Sequence, residues 1–226
     1  MNKLSFIRRL AALIAAVVLA GMLGPLSAWA EDGAEEHDGF FMRFRWDYGW
    51  GESKSTELIA TGRGGRLGMA IGVALEENVI LYGMAMAGSL NVVKGRDRVE
   101  KDHGWLGLEY WETQRAYISD VGGGLSYYWI PDNIFAGVEF YGHQESYRRL
   151  YHKPVFLYGS PDRYRYDVAK GPAIQINVGK EIWISDNWAL GILVAAEAAQ
   201  SHMFRDDHRV FFRTVYLTGG LTLTYN

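Results

Sequence analysis

Three phrases repeat one message along this chain: Glu77-Asn78-Val79-Ile80-Leu81, Asp132-Asn133-Ile134-Phe135-Ala136 and Asp186-Asn187-Trp188-Ala189-Leu190. Their asparagines stand 55 and 54 residues apart, each between two runs of alternating apolar and polar character. An acidic residue followed by Asn suits a tight turn, because both side chains tolerate turn dihedrals and bond their own backbone. The spacing therefore predicts three antiparallel hairpins with short turns at one end and longer connections at the other. That arrangement constrains the chain to an all-β fold built by up-and-down repetition.

The first 30 residues have a different character. Lys3, Arg8 and Arg9 form a basic head, Leu10 to Leu23 is apolar, and Ala28-Trp29-Ala30 offers a small-x-small cleavage site before Glu31-Asp32. Residues 1–30 thus read as a signal peptide, and the apolar run is short against the ~20 residues of a spanning helix. Its removal takes three basic side chains and no acidic one, so the net charge of −3 becomes −6. An acidic chain of this kind is a poor partner for nucleic acid. With no cysteine, it has neither disulfides nor thiolate metal sites, and it suits passage through an oxidising periplasm. Residues 31–38, acidic and without apolar periodicity, read as a periplasmic N-terminal tail, and 39–226 as one domain.

Period-2 reading marks eight strands in that domain. In the last, Phe211 to Tyr225, the residues Val215, Leu217, Leu221, Leu223 and Tyr225 share a face opposite Thr214, Tyr216, Thr218, Thr222 and Thr224. In the first, Phe40, Met42, Phe44, Trp46, Tyr48 and Trp50 oppose Arg43, Arg45 and Asp47. The split recurs: Leu67, Met69, Ile71 and Val73 against Arg66; Val121, Leu125, Tyr127 and Trp129 against Asp120, Ser126 and Tyr128; Ile134, Ala136, Val138 and Phe140 against Glu139, Tyr141, His143 and Glu145. Ile174, Ile176 and Val178 face away from Gln175, Asn177 and Glu181, as Trp188, Leu190, Ile192 and Val194 do from Gly191 and Glu197. The segment Val79 to Ala87 is apolar on both faces and has no readable orientation. Eight greasy faces would overfill the interior of an eight-stranded barrel, which only just holds side chains. The apolar face therefore points outward, and the fold expected is an eight-stranded antiparallel up-and-down transmembrane β-barrel. The short turns at Asn78, Asn133 and Asn187 fall on the periplasmic side with both termini, and the external loops at about 52–64, 90–115, 148–168 and 203–208.

Thr218-x-Gly220-x-x-Leu223-x-Tyr225 resembles the C-terminal signal by which outer-membrane barrels are read by the barrel assembly machinery, although Asn226 follows the aromatic. With the stretches Gly179–Gly191, Gly123–Pro131 and Gly39-Phe40-Phe41-Met42-Arg43, residues 38–226 resemble small Gram-negative outer-membrane β-barrel proteins of the size of the OmpA transmembrane domain and OmpX. The resemblance implies a fold and an outer-membrane location, and no activity.

Chemistry-bearing groups fall in three places. Arg43, Arg45, Arg66, Asp47, Asp120, Glu139, Glu181 and Glu197 share the inward parity and are expected to pair and plug the lumen, since buried charges need partners. A gated pore lined by the same groups is the alternative. His143, Glu145 and Ser146 invite comparison with a lipid-modifying hydrolase, but strand parity sends Ser146 to the other face, and Ser119, Ser126 and Ser201 have no support as substitutes. The six histidines show no metal-ligand spacing, so neither metal nor cofactor is expected; Asp206 and Asp207 between His202 and His208 read as a solvated turn. Outside, Arg148, Arg149, Tyr151, Arg163 and Arg165 form a basic, aromatic rim suited to lipopolysaccharide phosphates, and Trp105 and Trp111 a contact surface, with no external ligand nameable. The expected role is non-enzymatic, structural or surface-interacting. A narrow channel for small polar solutes is the alternative, and a lipid-modifying hydrolase the third.

Overall fold

The computed structural model describes residues 39–56, 58–97, 99–102, 108–130, 132–152, 164–205 and 208–226. The expected signal peptide and tail lie outside them. Nine strands follow in order: β1 (Phe40–Lys54), β2 (Leu58–Glu76), β3 (Val79–Asp97), β4 (Val99–Asp102), β5 (Leu108–Trp129), β6 (Ile134–His152), β7 (Tyr164–Ser185), β8 (Trp188–Arg205) and β9 (His208–Tyr225). Neighbours pair antiparallel, β3 with β5 and β9 with β1 included, so eight long strands close a ring and no long strand is left with an unpaired edge. The short β4 lies beside the first residues of β5, at the end away from the turns.

Closure is recorded in register. From Met42↔Tyr225 to Lys54↔Arg213, the first strand meets the last without a slip. The three repeated turns share one task beyond reversing the chain. The carbonyls of Asn78, Asn133 and Asn187 accept hydrogen bonds from the backbone N–H of Tyr128 (2.8 Å), Glu181 (3.0 Å) and Asn226 (3.1 Å), each on the neighbouring hairpin or, for Asn226, just beyond β9. Each turn thus stitches its hairpin to the next. Of the three, Asn133 has the left-handed backbone (φ 49°) that Asn tolerates better than most residues.

The alternation holds around the ring. On β1, Phe40, Phe44, Trp46 and Tyr48 are exposed while Phe41, Arg43, Arg45 and Asp47 are buried. The orientation of β3, unreadable in the sequence, puts Ile80, Tyr82, Met84 and Met86 inside and Leu81, Gly83, Ala85 and Ala87 outside. The strands are longer than the apolar alternation suggested. The expected connection 52–64 shrinks to residues 55–57, because β1 and β2 stay paired out to Lys54↔Ile59. Likewise β6 runs to His152 and β7 begins at Tyr164, well inside the expected loop 148–168. Beyond the apolar belt the outward residues turn polar, which erases the period-2 signal while the ladder continues.

Candidate functional site

The interior is layered. At the turn end, Phe41, Ile80, Tyr128, Phe135 and Ala189 are buried together. Arg43 reaches into this apolar floor, its guanidinium 4.3 Å from the Phe135 ring centroid and 5.0 Å from that of Phe41. It pairs with Glu181 at 3.1 Å, donates to Thr224 Oγ1 at 3.2 Å, and donates to the Tyr128 hydroxyl. Glu181 is completed by the hydroxyls of Tyr128 (3.0 Å), Thr222 (3.2 Å) and Thr224 (2.6 Å).

The middle layer is a continuous network. Arg45 pairs with Asp47 (2.6 Å) and Glu139 (3.4 Å). Glu139 also accepts from Tyr82 at 2.8 Å, and from Tyr141 and the Gln175 amide. Arg66 joins four strands: Glu197 at 2.5 Å, Asp120 at 3.4 Å, Asp47 at 3.7 Å and Gln175 Oε1 at 3.3 Å. His143 sits between carboxylates, Nδ1 2.5 Å from Asp120 and Nε2 3.2 Å from Glu145. Glu145 in turn accepts from Ser53 (3.1 Å), Tyr147 and Tyr216.

A second apolar layer closes the far end. Leu58, Leu90, Ile118, Met203, Val210 and Phe212 are packed with Tyr147, whose ring stacks on Phe212 at 5.4 Å. The network around Arg45, Arg66 and His143 therefore lies between two apolar layers. The gap among Arg43, Arg45, Ala70, Tyr82, Met84 and Glu139 has a volume of about 0 Å³ for a water-sized sphere. In such surroundings a charge must find its partners within the protein.

All eight inward charges named from the sequence are buried, from Asp47 and Asp120 at 0 % exposure to Arg43 at 4 %, and their ion pairs interlock. Sequence reasoning did not anticipate the donors that complete them. Tyr82, Tyr128, Tyr141, Tyr147 and Tyr216 all aim hydroxyls at carboxylates, so tyrosine lines the interior as well as the outer face. Inward strand parity was the available signal. His143 and Glu145 share a face, as parity required, while Ser146 is on the other.

The external residues fare differently. Arg149 is not on the rim: it is buried and paired with Asp167 at 2.5 Å, because it has the inward parity of β6. Arg148 is half-buried on the outward face. Tyr151, Arg165 and Trp111 occupy strand positions, on β6, β7 and β5, whereas Trp105 and Arg163 lie outside the described residues. Asp120, His143 and Glu197 place ligand atoms within 4.8 Å of one another, the one such grouping among the described residues. The Arg66 guanidinium already bonds two of those carboxylates, supplying the positive charge a cation would bring.

No family model matches this chain, and no curated relative does. Among solved structures it is similar to the outer-membrane protein OprG from Pseudomonas aeruginosa, at 7 % identity over 86 % of this chain and 100 % of that one, with a TM-score of 0.45. It is similar also to Ail, the attachment invasion locus protein of Yersinia pestis, at 12 % identity, covering 82 % and 99 %, with a TM-score of 0.41. Neisserial surface protein A matches at 10 % identity over 82 % of this chain and 96 % of its own, with a TM-score of 0.41.

Proposed function

We propose that this chain is an integral outer-membrane barrel with a structural or surface-interaction role and a lumen that does not conduct. The observation that carries the reading is the inversion of the molecule: an apolar exterior around a buried, charged interior. The outward belt bears Leu67, Val121, Phe140, Ile176 and Ile192, each more than half exposed. Aromatics frame it. At the turn end Phe40, Tyr225 and Trp188 are in contact (6.3 and 5.1 Å), and Tyr127 meets Trp129 at 5.1 Å; Tyr48, Trp50 and Tyr117 lie toward the other margin. Phe40 and Trp50 stand ten residues apart on β1. At ~3.3 Å per residue and a tilt of roughly 45°, that is about 23 Å, close to the ~25 Å apolar band of such barrels.

Charge supports an orientation. Glu76, Glu77, Asp132 and Asp186 are exposed at the turn end, whereas Lys54, Arg63, Arg115, Lys170 and Arg213 point outward beyond the opposite margin of the belt. The turn end with both barrel termini is then periplasmic, and the basic end faces the anionic lipopolysaccharide outside. Thr218, Gly220, Leu223 and Tyr225 on the last strand would present the signal read by the assembly machinery. The reading is non-enzymatic: both ring nitrogens of His143 face carboxylates rather than a serine. One observation favours the narrow-channel alternative, since six buried carboxylates share the network with three arginines and one histidine.

Membrane fractionation followed by planar-bilayer recording tests this. Recovery in outer membranes and silence from inserted protein is the expected result. Discrete steps whose ion preference changes in Arg45→Ala or Glu139→Gln would replace the plug with a pore, and recovery in the soluble fraction would sink the whole reading.

A further inference from the structure

One outward line of residues has no role in the plug. Following the ladder pairs across the sheet, Trp50 on β1 pairs with Arg63 on β2, Arg63 with Asn91 on β3, Asn91 with Arg115 on β5, Arg115 with Arg148 on β6, and Arg148 with Tyr166 on β7. Three arginines and an asparagine thus form a single lateral row between a tryptophan and a tyrosine. At ~4.8 Å between strands, the row from Arg63 to Arg148 is about 14 Å wide. Arg115 and Arg148 are direct ladder partners, so positive charge is concentrated along the row.

One outward rung further toward the apolar side, past Gly65, Ser89 and Tyr117, is an open groove of about 500 Å³ lined by Leu67 and Met69, Ala85 and Ala87, and Ser119 and Val121. These are two consecutive rungs of the same three strands: Leu67↔Ala87↔Ser119 and Met69↔Ala85↔Val121. The outward side chains of β3 here are alanines, flanked by Leu67 and Met69 on β2 and by Ser119 and Val121 on β5, so β3 is the groove's floor. The floor continues at Gly83, where an added Cβ would have no neighbour nearer than 3.9 Å. From Asn91 to Gly83 the trough runs about 26 Å at ~3.3 Å per residue.

Charge complementarity selects the occupant. A cationic row able to meet more than one phosphate stands over an apolar trough one strand wide, and both lie on the side that the proposed orientation turns to the outer leaflet. We propose that the outer face of β2, β3, β5 and β6 is a binding site for a phosphorylated, acylated glycolipid of the lipid A class: Arg63, Arg115 and Arg148 hold its phosphates, and one acyl chain lies in the trough over β3. Arg suits this because its planar fork of donors matches phosphate oxygens. The site rests on the membrane-spanning reading given above. It differs from the loop rim expected from sequence, sharing only Arg148 with it.

The test uses the full chain, expressed in a Gram-negative host, extracted from outer membranes and exchanged into detergent. Retained lipid is read by native mass spectrometry, with purified diphosphoryl lipid A, monophosphoryl lipid A and phosphatidylglycerol as probes. Diphosphoryl lipid A should bind at one copy and in preference to the other two. The Arg63→Ala/Arg115→Ala double variant should weaken it about tenfold or more, since hydrogen bonds to charged groups are the strong ones. Ala85→Trp, which fills the trough from outside without touching the lumen, should weaken it with the fold intact by heat-modified gel mobility. Arg213→Ala, on β9 and separated from the site by β1 on one side and by β7 and β8 on the other, should change nothing. Equal binding by wild type and the arginine double variant would overturn the site. So would equal retention of phosphatidylglycerol, or a cysteine at Ala85→Cys that cross-links two copies, which would assign the trough to a second barrel. Recovery outside the outer membrane would instead condemn the membrane reading; recovery in it without lipid retention condemns only the site.

Discussion

Replacing Arg66 by methionine removes the most connected cation of the lumen while keeping most of its stem volume. Four groups lose a partner together: Glu197, Asp120, Asp47 and the Gln175 carbonyl oxygen. The guanidinium also lies 5.4 Å from the Tyr216 ring centroid, a contact that methionine retains only as packing. Asp47 keeps Arg45 and Asp120 keeps His143, so the uncompensated charge falls chiefly on Glu197, whose remaining neighbour is the His143 ring at 3.5 Å. Arg66 is 3 % exposed, and breaking such a pair costs about 3–5 kcal/mol because it leaves a buried charge stranded. Urea unfolding in detergent, followed by tryptophan fluorescence and by gel mobility of unheated samples, should therefore show a loss of about that size. Arg66→Met/Glu197→Gln removes the stranded charge, and should recover part of the loss, with a coupling of about 1–3 kcal/mol. A single variant that loses less than about 1 kcal/mol, or a double variant as unstable as the sum of its singles, would refute the argument that the network is sealed from water.

Two further substitutions test the backbone. Asn133→Ala should cost about 1–2 kcal/mol because alanine resists the left-handed conformation that Asn133 adopts, whereas Asn133→Gly should be near neutral. Gly122→Ala should destabilise by about 1–3 kcal/mol more than Gly83→Ala, since a Cβ at Gly122 would stand 1.8 Å from the Phe140 carbonyl oxygen and one at Gly83 meets open space. Both are read in the same urea titration. The bilayer recording and the lipid-retention series described above complete the set.

The barrel was legible because outward and inward residues differ sharply within the belt. Arg43, Arg45 and Asp47 among five aromatic neighbours leave one reasonable parity. It stopped being legible where the outward side chains turn polar, so that Glu52, Thr61 and Arg63 read as a loop although they pair in register. Glycine misled as well. Gly51 directly precedes the expected loop, and a Cβ there would meet the Tyr216 ring at 2.3 Å: the residue is small to make room for a lumenal tyrosine. Gly124 stands in the same relation to Tyr82, at 2.9 Å. The charge layer was readable as a set of residues and not as a set of pairs, because Arg43 meets Glu181 and Arg66 meets Glu197 across long stretches of chain. Parity places a side chain inside but does not say what it will face. The arginine row was hidden for the same reason, since only the interstrand register aligns Arg63, Arg115 and Arg148.

Those long-range pairs bear on how the barrel can be made. Arg43 on the first strand depends on Glu181 from the seventh element and Thr224 from the last, and Arg66 on Glu197 from the eighth. A sheet of the first four long strands would hold the Arg43 guanidinium with its carboxylate not yet delivered and Arg66 without its shortest partner, and on the proposed membrane reading laying that sheet in hydrocarbon would cost several kcal/mol. On that reading stepwise hairpin insertion is opposed by the chain's own interior. Gathering the strands and joining the first to the last while the inner face is still wet would let water leave the lumen as the apolar belt enters lipid.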